Sequence, residues 1–199
     1  MSERPVFGKT EKVLLWTFLI FSWVILWLKA GLSPITHDEA ATFFYYVQGK
    51  SFIPFFADAD PNNHVLNSAL TSVFYSLFGD SLISLRLASL LFFPLYFYFV
   101  IKIAGKIKNT FVKWVFILVF VFSNGLVDFF SLCRGYGMSM ALLMGSIYYL
   151  IQALQTNKTK YQPAFLSLAL LAFLANMTLL VSFLMIFILS IDEFFKWKQ

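Results

Sequence analysis

Residues 13–32 read VLLWTFLIFSWVILWLKAGL, twenty positions carrying a single charge, Lys29, near the end. As a helix this run is about 30 Å long, the thickness of a bilayer's hydrocarbon core. It follows a basic N-terminal segment, as a secretory signal would. Its length, its three tryptophans (Trp16, Trp23 and Trp27) and the lack of a small-residue cleavage pattern favour an uncleaved first span.

The rest of the chain follows the same pattern. Of its 199 residues 60% are hydrophobic and 13% charged, against about 45–50% and about 25% in soluble domains. Further apolar runs lie at 82–101, 114–130 and 136–154. A last run, 164–191, is 28 residues long, more than one straight crossing needs. It reads either as a re-entrant pair of half-helices breaking near Asn176 or as a single tilted fifth span. The expected fold is an all-α membrane protein, a multi-pass helical bundle of about four spans plus this last element.

Charge placement orients the bundle. Arg4, Lys9 and Lys12 precede the first span, Lys102, Lys106, Lys108 and Lys113 follow the second, and Lys158 and Lys160 follow the fourth. The positive-inside rule puts all three groups in the cytoplasm. Lys196 and Lys198 after the last run favour the same side. The segment 33–81 and the turn 128–134 are then extracytoplasmic, in a plasma or inner membrane.

Segment 33–81 holds five of the ten acidic residues (Asp38, Glu39, Asp58, Asp60 and Asp80) against one lysine. It reads as ordered. Thr36-x-x-Glu39 is a capping box for a helix running to about Gln48. Asn62 or Asn63 can cap a second helix, with Val65, Leu66, Ala69, Leu70, Val73, Phe74 and Leu77 on one apolar face. Gly79 can end that helix, and Asp80 can cap the second span. Both helices are expected to lie as amphipathic elements in the membrane interface.

Four polar groups map to this outer face: His37-Asp38-Glu39, Asn62-Asn63-His64 with Asn67, Arg134-Gly135-Tyr136, and Arg86 about one turn into the second span. Ionisable groups at membrane depth are costly and mark functional candidates. Each also has an ordinary reading. Glu39 completes a cap, Asp38 favours a helix's first turn, His64 is a hydrogen-bonded histidine near a helix start, Lys29 snorkels, and Arg86 and Arg134 anchor their spans in head groups. Cys133 reads as incidental. There is no P-loop, no Gly-x-Gly-x-x-Gly, no cysteine pair and no Gly-x-Ser-x-Gly. His37, Asp38 and His64 are metal-ligating types without diagnostic spacing, so no metal or other cofactor is assigned.

The order of these groups carries a resemblance. A first span, then His37-Asp38-Glu39-Ala40, then Pro61-Asn62-Asn63-His64-Val65-Leu66-Asn67-Ser68, then Arg86-Leu87-Ala88-Ser89, then Ser131-Leu132-Cys133-Arg134-Gly135-Tyr136-Gly137-Met138, resembles the N-terminal half of the GT-C membrane glycosyltransferases. Within them it is most similar to the protein O-mannosyltransferases and the aminoarabinose transferase of lipid A. The resemblance implies transfer of a sugar from a polyprenyl-phosphate carrier to a glycan, lipid or protein acceptor on the extracytoplasmic face. Membrane lipids are the other expected partners; nucleic acid is not one. It implies that Asp38, with Glu39 beside it, is the catalytic carboxylate. Arg134, followed by Tyr136, lies near the carrier phosphate, and His64 and Asn63 form the acceptor-side wall, with His37 and Arg86 as further substrate-binding candidates. It also implies a longer protein, with 1–199 as its N-terminal membrane module and 33–81 as its outer loop. Asp38 and Arg134 should converge on one cleft, with His64 on its rim. The competing reading is a non-catalytic transporter segment or lipid-binding scaffold. A transporter would gather its polar groups near the bilayer midplane.

Overall fold

The structure, a computed structural model, describes residues 7–57, 63–156 and 158–196, with side chains through Ile191. Arg4, Asp58, Asp60, Asn62 and Lys198 lie outside the described residues. Among those described there are helices and no strands. The elements are α1 (Lys9–Leu32), α2 (His37–Thr42, continued by a π-helical turn Phe43–Val47), α3 (Val65–Phe78), α4 (Leu82–Ala104), α5 (Thr110–Phe122), α6 (Asn124–Val127), α7 (Gly135–Thr156), α8 (Gln162–Ala175) and α9 (Leu180–Lys196).

Three helices, α1, α4 and α7, are long and apolar enough to cross a membrane. The expected third span is bent. It runs as α5, breaks at Ser123 and resumes at 51° through α6 and a 3₁₀ turn, Asp128–Ser131. Asn124 and Gly125 follow the break, and both are poor helix formers. Counted as one span, the bent pair makes four.

The last apolar run is a hairpin rather than one tilted span. α8 ends at Asn176, whose backbone is extended. α9 then returns antiparallel, stacking Phe183 on Phe173 at 5.9 Å and bringing the Ser190 carbonyl within 3.0 Å of Gln162 Nε2. Both ends of the run therefore reach the same end of the bundle.

α4 is the central helix. It packs against α1, α3, α5 and α7. Its buried Leu90, Phe93, Phe97 and Val100 join Leu26 and Ala30 of α1, Ile117 and Val121 of α5, and Phe130. Burying large apolar side chains in this way contributes about 1.5–3 kcal/mol each against water. Against lipid the gain is one of close packing instead.

α3 is turned opposite to the polarity expected in water. Its buried positions are Asn67, Ser68, Thr71 and Ser72, while Val73, Leu77 and Phe78 are exposed. Leu66, Leu70 and Phe74 of the expected apolar face pack partly against Ala88, Met138 and Ala172. A helix that hides its hydroxyls and shows its hydrocarbon suits an apolar surrounding, where unsatisfied polar groups cost several kcal/mol.

The caps are partly reassigned. Thr36 and Glu39 form the expected box. Gly79, at φ +79°, ends α3 in a conformation open to glycine. Ser81 rather than Asp80 caps α4, its Oγ accepting from Ser84 N at 3.1 Å. His64 occupies the N-cap of α3 without a capping bond, and Asn63 turns away to donate to the Phe52 carbonyl at 3.2 Å. Lys29, expected to snorkel, is ion-paired with Asp128.

Where α7 begins, Gly135 lies against α8. A Cβ there would overlap the Ala175 carbonyl oxygen and come within 2.9 Å of His64 Cβ. Gly135→Ala should therefore pry α7 from α8 and lose roughly 1–3 kcal/mol of stability, read as a lower unfolding midpoint in detergent. Gly125→Ala, with nothing within 4 Å of the added carbon, should leave that midpoint unchanged or raise it.

Candidate functional site

The site is built at the end of the bundle where α1 stops, α2, α3, α4 and α7 start, and α8 breaks. Its foundation is Arg86. The guanidinium is 1% exposed, and all five of its N–H groups are used. Nε and Nη2 donate to Glu39 Oε1 and Oε2, each at 2.8 Å. Nη1 donates to the Ala30 and Ser33 carbonyls at 2.8 Å, and Nη2 also donates to Pro34 at 3.0 Å. These carbonyls belong to the last turn of α1 and the residues after it, where helical partners run out.

Glu39 is equally committed. Oε1 also accepts from Cys133 N at 2.6 Å, and Oε2 from Thr36 N at 3.0 Å. Burial by itself would raise its pKa. The bonds from Arg86, Cys133 N and Thr36 N outweigh that and hold it below the ordinary carboxylate value. Four donors fill its acceptor directions, so Glu39 positions the site and offers no free oxygen to a substrate. The expectation of a second catalytic carboxylate is corrected accordingly. Arg86 is corrected too: it neither anchors in head groups nor faces a substrate, because burial makes it a structural clamp.

Above the clamp, Asp38 and Arg134 meet. Arg134 Nη1 is 3.3 Å from Asp38 Oδ2, and Nη2 lies 3.2 Å from the Tyr136 hydroxyl. Arg134 is almost buried, whereas the Asp38 carboxylate is half exposed. One end of the pair is thus fixed and the other is open to an incoming molecule. His37 is fully exposed, with Nδ1 3.7 Å from Asp38 Oδ1.

His64 lies beneath this pair, not on its rim. It is buried, with its ring 5.0 Å from that of Tyr136. Among the described residues neither ring nitrogen has a hydrogen-bond partner, and Asn63 Oδ1 and Ser68 Oγ are also unsatisfied. The Ala175 carbonyl lies nearby, outside bonding geometry. Burial and the neighbouring Arg134 charge push the His64 pKa down to about 4, with Ala175 and Asp38 opposing. The imidazole is therefore neutral at pH 7. Orphaned buried polar atoms are uncommon, and at His64 they mark a place where an outside hydroxyl or water would be held.

Behind the site a second polar layer joins α3, α4 and the segment before α7. The single Ser89 Oγ–H is shared between the Arg134 carbonyl at 3.1 Å and Asn67 Oδ1 at 3.4 Å. Asn67 and Thr71 contact Cys133 Sγ at 3.8 and 3.7 Å. Cys133 is therefore part of the scaffold, and burial raises its thiol pKa to about 11, which removes it as a nucleophile. Ser89, Thr71 and Cys133 gave little signal in sequence, since small polar residues inside apolar runs are common. Among the described residues no three His, Cys, Asp or Glu side chains cluster as a metal site.

No family model, no curated protein and no solved structure matches this chain.

Glu39→Gln and Arg86→Met should each cost about 3–5 kcal/mol, because each leaves a buried partner uncompensated. The double variant should lose at least ~1 kcal/mol less than the sum, since both singles break one interaction; denaturant titration in micelles measures the cycle. His64 has a second signature. With its folded pKa depressed, the unfolded chain binds more protons between about pH 6.5 and 4. Stability should fall as pH drops through that window and level off below it. His64→Phe should flatten that part of the pH profile.

Proposed function

We propose that this chain is the N-terminal membrane module of a glycosyltransferase. It would move a sugar from a polyprenyl-phosphate carrier to an acceptor hydroxyl or phosphate. The observation that carries the reading is the Asp38–Arg134 pair, a half-exposed carboxylate held 3.3 Å from a nearly buried guanidinium. The order of motifs that resembles the GT-C enzymes supports it. So does the gathering of Asp38, His64, Arg134 and Tyr136 at one end of the bundle rather than at its middle, which disfavours a transporter.

The chemistry follows from the two side chains. An acceptor hydroxyl is a weak nucleophile until a carboxylate takes its proton, which is the role of Asp38. The acceptor oxygen then bonds to the anomeric carbon. The bond from that carbon to the carrier phosphate breaks, and its electron pair leaves with the phosphate. Arg134 is always charged and offers a fork of N–H donors to the phosphate oxygens. Charge preorganised at the leaving group is the largest stabilisation such a site can supply. Direct attack by the acceptor inverts the anomeric centre.

The ion pair also orders the events. A phosphate competes with Asp38 for Arg134, and binding of the carrier would release the carboxylate towards the acceptor. His64, neutral and with no hydrogen-bond partner among the described residues, can accept from or donate to a sugar or acceptor hydroxyl beneath the pair. In this reading the N-terminus is cytoplasmic and the site extracytoplasmic, with the exposed Phe44, Tyr45, Phe55 and Phe56 of the outer loop resting at the interface.

The test is transfer of a radiolabelled sugar from its polyprenyl phosphate in membranes carrying the protein. Asp38→Asn should lower transfer by about 10²–10⁴-fold, the range of a lost general base. Membrane insertion, followed by labelling of cysteines placed in the loops, should be unchanged. Undiminished transfer would remove Asp38 from the base role.

A further inference from the structure

The opposite end of the bundle carries a second feature. Between the first half of α1 and the last half of α4 lies a groove of about 770 Å³, within the range of small-ligand sites. Its floor is apolar, formed by Leu15, Leu19, Trp23, Pro94 and Phe97. Its mouth is not, because Lys12 of α1 and Lys102 of α4 both line it.

The dimensions match one leaflet of a bilayer. From Lys12 to Trp23 is eleven residues, about 16 Å of helix, and half a hydrocarbon core is about 15 Å. From Lys102 to Pro94 is eight residues, about 12 Å. A chain entering at the two lysines would reach the bilayer's midplane at the end of the groove, where Trp23 Nε1 is engaged by the Leu90 carbonyl at 3.0 Å.

The lysines are available. Both are exposed, and among the described residues neither pairs with a carboxylate. The nearby Glu11 is spent on Lys113, Trp114 and Gly8 N. Lys106 is engaged by Gln152 and Gln155. Lys102 sits over the Tyr98 ring at 5.3 Å, which holds its ammonium at the mouth.

We propose that this groove is a binding site for an anionic phospholipid. One acyl chain lies along the floor, and the phosphate sits between Lys12 and Lys102. The site rests on α1 and α4 being spans and is independent of the transfer chemistry at the other end. Two cations facing one head group favour an anionic lipid over a zwitterionic one by about thirtyfold, from roughly 1 kcal/mol per cation at a membrane surface.

The experiment is native mass spectrometry of the full chain released from nanodiscs of equal phosphatidylglycerol and phosphatidylcholine. The intact chain should retain phosphatidylglycerol about thirtyfold over phosphatidylcholine. Lys12→Gln with Lys102→Gln should bring that ratio close to one, while Lys106→Gln with Lys108→Gln should leave it in place. Ile20→Trp, which narrows the groove without changing charge, should reduce retention of both lipids. Equal retention by the intact chain would overturn the proposal, as would selectivity that survives the Lys12 and Lys102 substitutions. If added polyprenyl phosphate displaced phosphatidylglycerol at equal concentration, the assigned occupant would be wrong.

Discussion

One ion pair organises this protein. Arg86 and Glu39 are both buried, 47 residues apart in sequence, and share two 2.8 Å hydrogen bonds. Removing two charges from water is expensive, and their attraction repays the cost only when every remaining donor and acceptor is satisfied. That condition is met. The spare donors of Arg86 hold the carbonyls that end α1, and the spare acceptors of Glu39 hold the start of α2 and the Cys133 amide before α7. Three segments distant in sequence, 30–39, Arg86 and Cys133, are tied at one point. The pair fixes where they meet, and so the position of what they carry.

That position explains the division between two adjacent carboxylates. Asp38 and Glu39 are chemically alike, yet a helical turn points them about 100° apart. Glu39 points into the bundle and is immobilised. Asp38 points outward to Arg134, which follows the Cys133 amide bound by Glu39. The buried acid therefore sets the geometry of the exposed one through a single peptide link. The polar layer of Asn67, Thr71, Ser89 and Cys133 supports the same segment from behind, with Ser89 bonded to the Arg134 carbonyl. A guanidinium held so firmly loses little freedom when it meets a phosphate, which is the advantage of preorganised charge.

The two ends of the bundle are built for different tasks. The site end concentrates satisfied polar groups under a half-exposed pair, with a small unsatisfied patch at His64. The other end carries exposed lysines above an apolar groove. Inverted polarity in α3 is consistent with both, since polar groups in an apolar surrounding must turn towards one another.

Much of this was legible in sequence. Apolar runs of about twenty residues can lower their free energy in lipid as helices, so α1, α4 and α7 followed from composition and length. Thr36-x-x-Glu39 named its own helix start, and Gly79 its own helix end. The gathering of His37, Asp38, His64 and Arg134 at one face followed from counting crossings. Four things were decided only in three dimensions. Glu39 and Arg86 became a clamp because burial forced them to neutralise one another. α3 turned Asn67 and Thr71 inward because Ser89, Cys133 and the Leu85 carbonyl were there to meet them. The run after Lys160 folded back at Asn176 because Phe183 of α9 stacks on Phe173 of α8 and Ile186 packs with Phe165 and Ala169. His64 was buried rather than left at the rim because Gly135 allowed α7 to close over it. Local pattern and hydropathy settle where a helix exists and which solvent it prefers. Which polar group meets which depends on contacts between residues far apart in the chain, and no local spacing encodes those.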